Sequence, residues 1–254
     1  MMQGAAKPYF KMAPMVLSTR LQSSLLTKSM ILTKSVCFAI RIKTKVLKHK
    51  SVIHVDHVEL DEDVVHVCRQ HFPWGEIAWN DPRVTLHIQD GAAFVANAPR
   101  RHYDVVIQDS SDPYVRNEDG TIETLPSYVL FTNEHFQHVK RILNDGGMFC
   151  MQSETFHLPG DFNGVRSWRK QILNAGFELA RYGSICTKSY PLGQIGFLLC
   201  KSAGPQTRLQ SIQKRFDEIV SEGKATTYYW PKLQECCFAL PLWVHKTLYG
   251  DSFV

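Results

Sequence analysis

From Val52 onward the chain alternates short apolar runs with amphipathic stretches. Val52 to Leu60 reads as a strand ending in Glu59, and Asp61 to Phe72 as a helix with acids in its first turn and Val64, Cys68 and Phe72 on one face. Val84 to Ile88 is a second strand, followed by Asp90-Gly91 and a small helix from Ala92 to Ala98; Tyr103 to Gln108 is a third strand. Tyr114 to Tyr128 is a polar stretch, long enough to read as a lid or an insertion rather than a simple connection. Phe131 to Leu143 carries Phe136, Val139 and Leu143 at helical spacing and closes at Asn144 and the Gly146-Gly147 turn. Met148 to Gln152 is a fourth strand and Gly164 to Ala175 a helix with Val165, Trp168 and Ile172 inward. Phe177 to Ile185 and Phe197 to Lys201 form a terminal pair of strands. Leu209 to Glu222 reads as a surface helix, and an aromatic-rich tail from Tyr228 to Leu248 ends the chain. Strands alternating with helices and closed by a hairpin predict an α/β fold, its sheet mostly parallel and covered on both faces.

The first fifty residues break this rhythm. Residues 1 to 55 contain no Asp or Glu and carry ten of the 29 Lys and Arg, so the formal charge of +5 belongs to one terminal segment and the remainder is net acidic. A basic excess confined there argues against a nucleic-acid-binding face. We read residues 1–45 as an atypical basic segment, poorly ordered, and residues 46–254 as the folded domain, incomplete at its N-terminal side. The seven cysteines, without C-x-x-C spacing, read as free thiols of a reducing compartment. No apolar run is long enough for a membrane span. The expectation is a soluble, cytoplasmic protein, with the acid-free N-terminus leaving mitochondrial targeting as a lesser alternative.

Candidate chemistry gathers at strand ends, where α/β enzymes keep their sites. Asp109-Ser110-Ser111-Asp112-Pro113 puts two carboxylates just past the third strand, able to neutralise a cationic substrate and take a proton from it. The same five residues also read as a plain Asp/Ser turn. Glu59 suits the two hydroxyls of a ribose, or equally a helix-start charge. Asp90 and Gly91, one unit later, suit an adenine amino group and a close ring, or an ordinary turn. Gln152 and Glu154 are a polar pair after the fourth strand, able to hold an amine or orient an acid, and Tyr190 offers a hydroxyl and a ring. The eleven histidines show no ligand spacing, and His54 and His57 fall on opposite strand faces, so no metal is expected.

Taken in order, V-E-L-D-E-D-V (58–64), Q-D-G (89–91), D-S-S-D-P (109–113), Q-S-E (152–154) and Y-P-L-G-Q-I-G-F (190–197) resemble the spermidine synthase family of aminopropyltransferases, from about Val46 to Leu248. The resemblance implies a Rossmann-like fold of the methyltransferase type and aminopropyl transfer from decarboxylated S-adenosylmethionine to putrescine. By motif position, Asp109 would deprotonate the amine, Asp112, Gln152 and Tyr190 would align it, and Glu59, Asp90 and Gly91 would hold the nucleotide. The sulfonium nucleoside is then a co-substrate and no cofactor is required. Putrescine N-methyltransferase resembles the same motifs and is the alternative enzyme.

The family also carries a glycine-rich turn after its first strand, whereas this chain has no glycine between Gly4 and Gly75. That turn brings backbone close to the methionine-derived part of the nucleotide, and bulkier residues there predict impaired or absent turnover. Loss of that turn makes a non-catalytic partner of a full-length synthase the alternative from another class, and the family's N-terminal β-domain, with much of its homodimer contact, is likewise expected to be missing. Ser35 to Ile40 is the apolar run we assign to the first strand; without it the sheet would have an open seam.

Overall fold

The computed structural model describes residues 28–33, 45–187, 190–204, 212–223 and 228–251. Nine strands are described: β1 (Lys28–Thr33), β2 (Val52–Glu59), β3 (Val84–Ile88), β4 (Tyr103–Gln108), β5 (Tyr114–Arg116), β6 (Ile122–Thr124), β7 (Leu143–Ser153), β8 (Phe177–Cys186) and β9 (Gln194–Ser202). Seven of them build one sheet in the order β3-β2-β1-β4-β7-β9-β8. The five strands from β3 to β7 run parallel, and β9 lies antiparallel between β7 and β8. This is the Rossmann-like arrangement of the methyltransferase type.

The centre of the sheet differs from expectation. The first strand is Lys28–Thr33, pairing with β2 through Thr33↔Val58 and with β4 through Thr33↔Gln108, so the seam is closed. Ser35 to Ile40, assigned to that strand from its apolar run, lies outside the described residues. Part of the 1–45 segment therefore belongs to the sheet, because β2 and β4 leave a gap one strand wide that only a paired strand can satisfy.

The helices described are α1 (Glu62–His71), α2 (Glu76–Trp79), α3 (Gly91–Asn97), α4 (Asn133–Ile142), α5 (Pro159–Asn174), α6 (Ile212–Ser221), α7 (Pro231–Cys236) and α8 (Leu242–Tyr249); the apolar period predicts α1, α3, α4, α5 and α6, but not α2, α7 or α8. Asp61 caps α1 by accepting from the Asp63 and Val64 amides, and Thr132 caps α4 at the His135 amide. α5 begins at Pro159, five residues before the apolar spacing shows it, since proline suits the first turn of a helix. β7 runs back to Leu143, through the residues expected to form a turn; the left-handed backbone there is confined to Gly146, at φ 74°.

Alternation along the strands divides the core into two layers. Val58, Val106, Phe149, Met151 and Leu198 face α3, α4, α5 and α8, in one large cluster with Phe136, Val139, Trp168, Ile172 and Val244. Val55, Val105, Ile107 and Met148 face the other way, onto Val46, Leu47 and Ala78. Farther along that face, Phe197 packs with Tyr229 and Cys237. None of the six cysteines described forms a disulfide.

One polar knot crosses the first layer. Asp56, in β2, accepts from His87 Nε2 at 2.7 Å, His54 Nε2 at 3.0 Å and Tyr103 Oη at 2.8 Å. Burial alone would raise its carboxyl, but the hydrogen bonds from His87, Tyr103 and His54 outweigh that and hold it below the ordinary value. His57 is buried on the opposite face beside Trp79, at 5.7 Å between ring centroids, as strand alternation requires.

Candidate active site

Parallel strands end on one edge of a sheet, so register alone decides which strand-end residues become neighbours. Thr33 aligns with Val58 and with Gln108, and Gln108 aligns with Met151. One step further along, Glu59, Asp109 and Gln152 therefore share a row. At about 4.8 Å between strands, Asp109 and Gln152 are neighbours, and Glu59 stands two strands or about 10 Å from Asp109. Between them β1 and β4 form the point from which the chain winds in opposite directions, where open α/β sheets bind ligands.

At the β2 end, Glu59 is buried, and its Oε1 accepts from the amides of Leu60 at 2.8 Å and Asp61 at 3.1 Å. The carboxylate is thus fixed at the entry to α1. Asp90 is exposed and caps α3 through a 2.8 Å bond from the Ala93 amide; Gly91 is the first residue of that helix. Capping uses one carboxylate oxygen and leaves the acid facing the same edge of the sheet as Glu59. Backbone joins the two ends, since the Gln89 amide donates to the Glu59 carbonyl at 2.9 Å.

At the β4 end the two acids of the Asp/Ser turn part company. Asp109 and Ser110 are buried, each 7% exposed, whereas Ser111 and Asp112 face solvent. The Asp109 charge reaches β7: burial, and then Asp109, push the Cys150 thiol up to about 12. Behind the turn, Gln108 donates to the Leu130 carbonyl at 3.0 Å and, at 3.4 Å, to Ser110 Oγ, while its Oε1 lies 3.0 Å from His135 Nε2. This support was missed in the sequence. Its signal was a polar residue closing an apolar strand and a histidine beside the inward face of α4.

His135 has its pKa lowered to about 4, first by burial and then by repulsion from His138, with Asp90 opposing weakly. An unfolded histidine takes up its proton near 6.5, so between there and 4 the unfolded chain binds more protons and stability drops as the pH is lowered. The loss should be about 3 kcal/mol, absent above pH 6.5 and complete below pH 4. Urea unfolding at pH 7, 5.5 and 4.5 checks it, and His135→Gln should flatten the dependence.

The segment read as a polar loop is structured. β5 and β6 form an antiparallel hairpin, followed by a 3-10 turn at Pro126–Phe131. Its base is tied to the acid turn by the Leu125 amide on the Pro113 carbonyl at 2.9 Å and by Ser127 Oγ on the Asp112 carbonyl at 2.5 Å. β6 is exposed at all three positions, which is why no apolar alternation announced it.

On the far side, Tyr190 is half-buried and its hydroxyl donates to Glu154 Oε2 at 2.8 Å. Gln152 is half-buried on β7, opposite Phe197. Glu154, paired with Gln152 in the sequence but given no role by the resemblance, is the residue that Tyr190 contacts. The site residues thus form two groups: Glu59, Asp90 and Gly91 at the β2–β3 end, and Asp109, Gln152, Glu154 and Tyr190 around the ends of β4, β7 and β9. Asp112 stays at the exposed rim. Among the described residues, no group of three His, Cys, Asp or Glu side chains could hold a metal ion, and no helix is long and apolar enough to cross a membrane.

Known proteins resemble this chain in sequence and in fold. The model of the spermine/spermidine synthase domain matches residues 41–211. Spermidine synthase 2 of Arabidopsis thaliana is 35% identical over 208 residues, 80% of this chain and 57% of that protein. Putrescine N-methyltransferase 1 of Nicotiana tabacum is 32% identical over 202 residues, 78% of this chain and 50% of its own length. The chain thus spans little more than half the length of these relatives. Among solved structures, spermidine synthase in complex with the transition state analogue AdoDATO superposes with a TM-score of 0.70 at 24% identity, over 87% of this chain and 69% of that one, a likeness of fold.

Proposed function

The chain belongs to the spermine/spermidine synthase family, and from that premise we propose that it transfers an aminopropyl group from decarboxylated S-adenosylmethionine to putrescine. The observation that carries the reading is the row of strand ends: a nucleoside held by its ribose at Glu59 has about 10 Å in which to present its sulfonium arm at Asp109. Asp90 and Gly91 would take the adenine. Asp112, Gln152 and Tyr190 would align the diamine, with exposed Asp112 meeting an ammonium at the mouth.

The step balances without a further reagent. The amine nitrogen attacks the propyl carbon bound to sulfur, the C–N bond forms as the C–S bond breaks, and sulfur keeps the electron pair in methylthioadenosine. Putrescine arrives as an ammonium, and only the neutral amine is a nucleophile, so a base must remove a proton first. Desolvation of a carboxylate and ammonium together penalises both charges and favours that transfer, the part proposed for Asp109. Holding the amine in line with the sulfonium supplies much of the remaining acceleration.

Incubating the protein with putrescine and decarboxylated S-adenosylmethionine should yield equal amounts of spermidine and methylthioadenosine, at a rate reduced by the lack of any glycine between Gly4 and Gly75. Turnover only with S-adenosylmethionine, giving N-methylputrescine, would replace this reading with methyl transfer, which the similarity to the Nicotiana tabacum enzyme favours as the second choice. No product with either donor would overturn both.

A further inference from the structure

Tyr190 is held at its hydroxyl and at its backbone. Its hydroxyl donates to Glu154 Oε2 at 2.8 Å, just past the end of β7. Its own turn is closed by the Gly193 amide on the Tyr190 carbonyl at 3.0 Å and the Thr187 amide on the Gly193 carbonyl at 2.9 Å, even though this places Leu192 at φ 63°, a region that side chains with a Cβ rarely adopt. Glu154 is itself clamped. Its carbonyl accepts from Tyr182 Oη at 2.7 Å, and the next residue, Thr155, donates through Oγ1 to Gln194 Oε1 at 2.5 Å. β9 approaches so closely that a Cβ on Gly196 would stand 2.3 Å from the Glu154 carbonyl oxygen. Leu192's backbone strain, the missing Cβ at 196 and the paired hydrogen bonds all serve one arrangement, in which Glu154 and Tyr190 face each other.

We propose that Glu154 is a positioning residue for the amine end of the site, fixing the Tyr190 hydroxyl as a hydrogen-bond acceptor toward the diamine. A phenol has one proton to donate. With that proton committed to a carboxylate, the oxygen can only accept from any other partner, and every N–H of an amine or ammonium is a donor. Without the carboxylate the phenol is able to turn its proton toward the substrate and donate to an amine lone pair, which is the electron pair the transfer requires. The proposal rests on the reading that a diamine binds here, and it assigns Glu154 no contact with the substrate.

Titration calorimetry of putrescine into protein saturated with methylthioadenosine tests it. Glu154→Ala should weaken putrescine about tenfold, the scale of one such hydrogen bond. Glu154→Gln, whose amide oxygen still accepts, should recover most of the loss, and methylthioadenosine affinity should stay within threefold in both. In a Tyr190→Phe background, Glu154→Ala should cause no further loss. An equal loss in both backgrounds would put Glu154 on the amine itself and overturn the proposal, as would no loss in the single variant. A ligand-free readout separates this from the functional reading: the ring signal of Tyr190 in protein carrying ¹³C-labelled tyrosine, assigned with Tyr190→Phe, should shift in Glu154→Ala. An unchanged signal overturns the positioning role, whereas absence of putrescine binding by the unaltered protein sinks the substrate assignment alone.

Discussion

Asp109→Asn should abolish aminopropyl transfer, lowering kcat by a factor on the order of 10² to 10⁴, while nucleotide binding stays within threefold. The amide keeps the shape of the side chain but cannot take the proton that makes the amine a nucleophile. Asp109 is buried at the end of β4, so no bulk water stands ready to serve as base in its place. Glu59 and Asp90 lie two strands or more away and keep their own backbone hydrogen bonds, from Leu60 and Asp61 and from Ala93. Single-turnover measurement of methylthioadenosine release, beside calorimetry with the same nucleoside, separates the two effects. If both fall together, Asp109 holds the fold rather than the proton. If neither falls, the base is another residue.

The largest effect on stability is expected from Phe149→Ala. Phe149 lies mid-way along β7 with no exposed surface, paired to Val106 on one side and Cys200 on the other. Its ring stands 6.2 Å from that of Phe136 in α4 and 5.9 Å from that of Phe177 in β8, so it ties a helix, the parallel half of the sheet and the antiparallel half. Removing a buried ring of this kind costs about 3 to 5 kcal/mol, through lost transfer energy and the cavity left behind. A melting temperature lower by roughly 6 to 20 °C follows for a chain of this size. Urea unfolding should show the midpoint fall with an unchanged slope. A loss under about 1 kcal/mol would mean that neighbouring side chains collapse into the space.

Most elements were legible where one face is buried and the other is wet. Val52–Glu59 and α1 follow from V-E-L-D-E-D-V because the apolar period changes at Asp61, the residue whose carboxylate caps the helix. The β5–β6 hairpin was not, since an exposed ribbon carries no burial pattern. Its strands are recognised only from their pairing, Tyr114↔Thr124 and Arg116↔Ile122. The central strand was misplaced for a related reason: Met30-Ile31-Leu32 and Val36 to Ile40 are two short apolar runs a few residues apart, and periodicity does not rank them. Register with Val58 and Gln108 does.

Within the site, the sequence alone determined the chemistry available at each strand end: an acid at Glu59, an acid and glycine at Asp90-Gly91, the Asp109 to Pro113 turn, the Gln152 and Glu154 pair, and Tyr190. Local patterns suffice there, because strand, cap and turn are decided by residues within a helical turn of one another. Only the tertiary structure decided which of these groups meet. Asp109 becomes buried while Asp112, three residues on, stays at the rim. His135 supports the acid turn through Gln108 across 27 positions, and Tyr190 finds Glu154 across 36. Such contacts are set by strand order and register: β9 lies against β7 with Gly196 opposite Ser153, which brings Tyr190 back to the end of the strand that carries Glu154. A sequence states what each strand end can do; pairing between distant strands, whose free energy no local window contains, fixes the company it keeps.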